Sequence, residues 1–197
     1  FSPMGPLAKK LDAGAAPDII VITIDVLPRI RDKGFIVPGT ETEVGRVEIG
    51  VAVRTGAPKP DIATPEAFKA LLLKAKSIAM INPATGTSGK HLALVFQKLG
   101  VYDAVKPKMV LMDSGYAVAP VGRGEADVGI HQITEILPVP GVTLVGPLPG
   151  SLQKVTTYVG AVGAKAKNPE AARRFLAYLR TPPARDAFAR RGYVAEK

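Results

Sequence analysis

Two hydrophobic periods alternate along this chain, and the places where one gives way to the other predict its elements. Short apolar or alternating runs at residues 18–23 (DIIVIT), 47–54 (VEIGVAVR), 77–81, 108–112, 127–131, 142–145 and 153–162 predict strands. Between and around them, residues 6–13, 25–33, 64–76, 89–99, 114–123, 169–179 and 182–191 predict helices. The helix over 89–99 places Leu92, Val95, Phe96 and Leu99 on one face. Thr64 followed by Pro65 and Glu66 reads as an N-cap, a first-turn proline and an acid favoured by the helix dipole. Asn168 and Thr181 read as caps of the last two helices, Gly14 and Gly34 close the first two, and Pro120 weakens the helix over 114–123. Such alternation predicts a mostly parallel, three-layer α/β fold.

Two strands stand apart from the βα units. Residues 47–54 and 153–162 are long, apolar and separated by about half the chain. They predict two lobes joined by two crossing strands: residues 1–50 with 153–197 in the first lobe, 51–152 in the second. A ligand is then expected in the cleft, near the carboxyl ends of strands, as open α/β sheets prefer.

The segment of greatest chemical interest is residues 77–100, SIAMINPATGTSGKHLALVFQKLG. A strand enters a loop of small and hydroxyl residues, and an amphipathic helix leaves it. Unpaired N–H groups and the positive end of the helix dipole make such a junction a pocket for a small polar or anionic ligand. It is not a nucleotide P-loop. In ATGTSGKH the first glycine is replaced by Ala84, and His91 stands where a magnesium-binding hydroxyl belongs.

Composition narrows the classes. With 197 residues and 47% hydrophobic content the chain can bury a sizeable core. No apolar run reaches the ~18 residues of a membrane span. The absence of cysteine excludes disulfides, thiol catalysis and cysteine-ligated metal. The net charge of +9 is spread along the chain, and its densest group (Arg173, Arg174, Arg180, Arg185, Arg190 and Arg191) lies on helices poor in stacking aromatics. No nucleic-acid module accompanies it, so nucleic acid is not an expected partner. The charge reads as a solvated basic surface able to draw in an anion.

Three stretches, in this order and spacing, carry a family resemblance: DAGAAPDIIVIT, the run NPATGTSGKHLALVFQKLGVYDAV with KPK, and GRGEADVGI. Together with RRFLAYLRTPPARDAFARRGY near the end, they make the whole chain resemble the periplasmic molybdate-binding proteins. These are type-II substrate-binding proteins of ABC transporters. The resemblance implies a two-lobed periplasmic-binding-protein type II fold with three-layer α/β/α lobes. It also implies hinge closure over a small anion, hand-over to an ABC permease in the membrane, and a periplasmic location after removal of a leader.

Carried over position by position, the resemblance implies ligand contacts at Thr87, Ser88 and Gly89 in the second-lobe loop, and at Ser114 beside Gly115 at a helix start. The tyrosine of molybdate binders falls on Gln132, an amide that also donates a hydrogen bond. The first-lobe hydroxyl falls on Ser2, next to Pro3, which has no N–H to offer. Family members carry a strand, a serine-bearing loop, a helix and a second strand before the position of Phe1. The expectation is that the sequence is either a fragment of its gene product or a divergent protein that fills the gap otherwise; in the second case DIIVIT would keep an unpaired edge, an aggregation liability, and a homodimer is one way to cover it.

Other candidates are weaker. His131 is expected on the cleft wall, His91 as a neutral packing residue in the first turn after the loop, and Asp113 and Glu135 near the cleft. No catalytic set, metal cluster or cofactor motif is read, so no enzyme is expected. The resulting expectation is an extracytoplasmic binding protein for a small oxyanion or small acidic metabolite. The ligand-sensing domain of a transcription regulator with the same fold is the alternative, and an enzyme acting on a phosphorylated small molecule is the third.

Overall fold

The computed structural model describes residues 4–194, so the expectation for Ser2 lies outside the described residues. In chain order the elements are α1 (Met4–Asp12), β1 (Ile19–Thr23), α2 (Leu27–Asp32), β2 (Thr42–Val47), β3 (Ile49–Arg54), α3 (Pro65–Lys74) and β4 (Ile78–Ile81). They continue with α4 (Thr87–Lys98), α5 (Tyr102–Val105), β5 (Met109–Met112), α6 (Ala119–Arg123), β6 (Val128–Gln132), α7 (Ile133–Ile136) and β7 (Val142–Pro147). A 3₁₀ turn (Gly150–Leu152), β8 (Thr156–Val162), α8 (Pro169–Tyr178) and α9 (Pro182–Arg190) follow. The chain forms two compact units: Phe1–Val47 with Thr156–Lys197, and Glu48–Val155.

In the first unit the sheet order is β1-β8-β2. Buried Ile20, Ile22 and Ala161 pack with Leu11 of α1, Ile30 of α2 and Ile36. On the other side Val44 and Val162 pack with Ala172 and Leu176 of α8 and, at the margin, Phe188 of α9. Helices thus lie on both faces, the three layers expected. A Cβ on Gly160 would come within 2.7 Å of Leu176, so this glycine lets α8 sit close to β8.

The second unit carries a five-stranded sheet, order β5-β4-β6-β3-β7. Its two faces differ in bulk. Ile49, Val51, Ile78, Met80, Val128 and Ile130 cover one face and pack against Phe68 and Leu72 of α3 and Leu92 and Phe96 of α4. On the opposite face the middle strands carry small residues: Ala52 and Ala79 meet α6, α7 and the residues around them. A Cβ on Gly129 would press to 2.7 Å from Val118, and one on Gly50 to 2.8 Å from Ile133. Small residues here let short helical segments approach the strands closely.

The expectation of mostly parallel pairing is corrected. β1 and β2 both pair antiparallel with β8, and β3 pairs antiparallel with β6 and β7; only β4 with β5 and β4 with β6 are parallel. The physical reason is one reversed strand in each sheet, β8 in the first and β3 in the second. Each is the first strand made after the chain passes from one unit to the other. The remaining strands of each sheet share one direction, as strand–helix alternation requires. A second correction concerns residues 47–54, which are not one strand: the chain breaks at Glu48, with β2 before it and β3 after. Likewise 153–155 lie outside β8. There Gln153 bridges back to the start of β3, its Oε1 accepting from the Ile49 N–H and its Nε2 donating to the Ile49 carbonyl, both at 2.9 Å.

Candidate functional site

Parallel pairing places the carboxyl ends of β4, β5 and β6 side by side, with Ile81 opposite Met112 and Met80 opposite Ile130. The segments leaving these strands therefore share one edge of the sheet, with the β4 segment in the middle. Asn82 ties two of them together. Its N–H donates to the Met112 carbonyl at 2.9 Å, and its side-chain amide donates to Asp113 Oδ1 at 2.8 Å. Its own Oδ1 accepts from the Ala84 N–H at 3.0 Å, and its carbonyl accepts from the N–H groups of Thr85 and Gly86 at 3.0 and 3.2 Å. The residues of 82–86 are thus committed to an internally bonded turn.

The helix α4 starts directly from this turn. Gly86 is its N-cap in extended conformation, with no side chain to satisfy the first amides. The first helical hydrogen bond is donated by Lys90 to the Gly86 carbonyl at 3.1 Å. The N–H groups of Thr87, Ser88 and Gly89 sit at the first three helical positions, which have no carbonyl one turn earlier to bond. Ser88 and Gly89 are buried and Thr87 is half-buried. A Cβ on Gly89 would collide with the Ile81 carbonyl, so a glycine there is what allows α4 to stand on the end of β4.

After β5 the structure departs from expectation. Ser114 and Gly115 lie in bends, both exposed, and α6 begins only at Ala119. Gly115 has φ +77°, a left-handed conformation that interrupts a helix, and Pro120 sits in the first turn of α6, where it lacks no needed hydrogen bond. Ser114 is therefore on the shared edge but not at a helix N-terminus, and no helix dipole supports its amide.

Gln132 ends β6, buried at 4% exposure and paired in register with Ile49. Its N–H donates to Nδ1 of His131 at 2.7 Å. His131 is buried at 3% exposure on the small-residue face, opposite Gly50. Because Nδ1 accepts, the neutral ring carries its proton on Nε2, which lies 3.5 Å from Oε2 of Glu135 in α7 and has no hydrogen-bond partner at shorter range. Burial pushes the His131 imidazole down to about 4, and burial pushes the Glu135 carboxyl up to about 7. Near neutral pH the pair therefore holds a neutral imidazole beside a carboxyl that changes charge. His91, expected as a packing residue, instead places Nε2 at 2.8 Å from the Leu152 carbonyl and ties α4 to the 3₁₀ turn.

Thr87, Ser88, Gly89, Ser114, Gly115 and Gln132 thus all lie on segments leaving one sheet edge. Asn82, which organises that edge, was not singled out from the sequence; its signal was the Asn-Pro pair straight after a strand, a turn initiator. Among the described residues no group of three or more His, Asp or Glu is placed to hold a metal ion.

Residues 1–194 match the family model described as bacterial extracellular solute-binding protein. The chain is 34% identical over 181 residues to an aconitate isomerase of Pseudomonas sp, covering 92% of this chain and 68% of that protein. It is 28% identical over 197 residues to the molybdate-binding protein ModA of Escherichia coli K12, covering 98% and 76%. The solved periplasmic molybdate-binding protein of Azotobacter vinelandii superimposes with a TM-score of 0.78 at 19% identity, over 99% of this chain and 85% of that one, which shows the shared fold. The fold expected from the resemblance is therefore the fold found. This chain belongs to the bacterial extracellular solute-binding protein family.

Proposed function

We propose that the chain captures a small anion, a tetrahedral oxyanion or a compact carboxylate, outside the cytoplasm and delivers it to an ABC importer. The observation that carries this reading is the convergence at one sheet edge of the three leading amides of α4 with the loops after β5 and β6. Backbone donors preset by a twelve-residue helix cost nothing to organise and favour negative charge. Ser88 N–H and Oγ, the Thr87 and Gly89 backbone amides, the Ser114 backbone amide with Gly115 beside it, and the side-chain amide of Gln132 are the donors in this reading. Asp113 lies on the same edge, with one carboxylate oxygen accepting from the Asn82 amide, which moderates its repulsion of an incoming anion.

A second reading has an observation of its own. A relative at 34% identity is named an aconitate isomerase, and here a carboxyl group poised near neutrality, Glu135, stands three residues beyond Gln132. A general acid–base with its pKa near the working pH is what moving a proton between carbons of a bound polycarboxylate requires.

One screen tests both readings. Thermal melting is followed with molybdate, tungstate, sulfate, phosphate, citrate and the two aconitate isomers. A ligand at about 100 times its Kd adds ~2.7 kcal/mol, a rise of roughly 5–10 °C for a chain of this size. A selective rise with one anion supports capture, and no rise with any overturns it. Chromatography of the aconitate samples decides the second reading: conversion of one isomer to the other supports an enzyme, and unchanged isomers overturn it.

A further inference from the structure

Residue 131 is an unusual place for an imidazole. It is buried on the sheet face that carries Gly50, Ala52, Ala79 and Gly129 on the middle strands, where a small or apolar side chain would pack without polar cost. What the ring gains there is specific. Nδ1 takes the amide of Gln132, the residue at which β6 stops and α7 starts, and the adjoining Ile133 N–H is taken by the Glu48 carbonyl at 2.9 Å. The strand end is thereby closed at two successive amides, which sets the direction in which Gln132 leaves the sheet.

We propose that His131 is the positioning residue of the anion site, holding the Gln132 backbone through Nδ1 as the Nε2–H tautomer, and that the proton on Glu135 couples this hold to anion capture. The inference rests on the anion-capture reading above. The charged groups on the elements packed against β6 leave Glu135 as the partner. On β3, Arg54 is at the far end, near Gly124. On α6, Arg123 is engaged with Glu125 at 2.7 Å. β4 carries no charge, and Glu48 meets α7 through its carbonyl. On α4, which covers the opposite face, Lys90 is exposed, Lys98 donates to the Ser151 carbonyl and His91 is bonded to the Leu152 carbonyl.

The sign of the coupling follows from charge. A deprotonated Glu135 places a negative charge within one helical turn of Gln132 and opposes an anion held there; a protonated Glu135 does not. Anion capture therefore takes up a proton near neutral pH, and affinity falls as pH rises through about 7.

The test has two arms on the full chain. In the first, ¹⁵N NMR without ligand reads the tautomer and the titration. The expected result is an Nε2–H ring, with the Gln132 amide and His131 Nδ1 signals titrating together near pH 7 in the unaltered chain and not in Glu135→Gln. An Nδ1–H tautomer, or a Gln132 amide that is flat between pH 6 and 8, overturns the proposal. In the second, calorimetry measures Kd for molybdate and for trans-aconitate. His131→Leu should weaken binding about tenfold, the worth of one lost buried hydrogen bond, while His131→Asn, whose Oδ1 replaces Nδ1 as acceptor, should restore most of it. Between pH 6 and 8 the Kd should rise about two- to tenfold, and Glu135→Gln should abolish that rise. Equal loss in the Leu and Asn variants, or an unchanged pH profile in Glu135→Gln, overturns it. If neither probe binds the unaltered chain, the capture reading for these anions fails, and the ligand-free NMR arm alone decides the positioning role.

Discussion

His131 and Glu135 store opposite dependences on pH in a single contact. The Glu135 carboxyl keeps its proton to about 7 when folded, against about 4.5 when unfolded, so the folded chain binds more protons across that interval and loses stability as pH rises through it. The His131 imidazole declines its proton until about 4 when folded, against about 6.5 unfolded, so stability rises with pH from about 4 to 6.5. The two slopes oppose one another over most of their range, and the intact pair adds little net pH dependence there. Removing one partner exposes the other. Relative to the unaltered chain, the melting temperature of Glu135→Gln should climb from pH 4.5 to 7, and that of His131→Asn should fall from pH 4 to 6.5. Parallel melting curves for all three would contradict this account. None of this could be read from the sequence, which offered a histidine at the end of a strand but not the packed face that buries it.

At the level of elements, what the sequence disclosed depends on how local the cause is. Thr64 was legible as a cap, and its hydroxyl accepts from the Ala67 N–H at 3.1 Å; Asn168 was too, accepting from the Ala171 N–H at 3.0 Å. Thr181 looks the same in sequence, yet its hydroxyl donates backwards to the Tyr178 carbonyl at 2.7 Å and caps nothing. The closeness of α8 to α9 leaves that carbonyl as the nearer partner. Asn168→Ala should therefore cost about 1 kcal/mol by denaturant unfolding, and Thr181→Ala clearly less. Equal losses would mean that the caps act alike. The helix read over 114–123 shrank to α6 because Gly115 turns left-handed and the chain enters the helix only one residue before Pro120. β2 was missed because its pattern is broken by a register shift between Glu43 and Gly45 and by charged residues on an edge strand. The loop into α4 was the part of the site most clearly visible, since strand, small residues and amphipathic helix lie next to one another in sequence.

For the whole molecule, the distinction between the units is one of continuity. Glu48–Val155 is an unbroken stretch with its own sheet and a core on each face, and Gln153 fastens its last residues to Ile49 near its first. Expressed alone, residues 48–155 should fold cooperatively, giving dispersed amide resonances and a single unfolding transition; a collapsed state without fixed side-chain signals would refute this. The other unit is split, and its sheet depends on a strand from the far side of the insertion.

That dependence has a consequence in time. During synthesis β1 and β2 emerge early, but the strand that joins them in the sheet is β8, which the ribosome delivers about a hundred residues later. At ordinary elongation rates the two strands wait on the order of 5–20 s while the inserted unit is made. Throughout that interval the sequence IIVIT is without the strand it pairs with here, an apolar segment for a holding chaperone to cover.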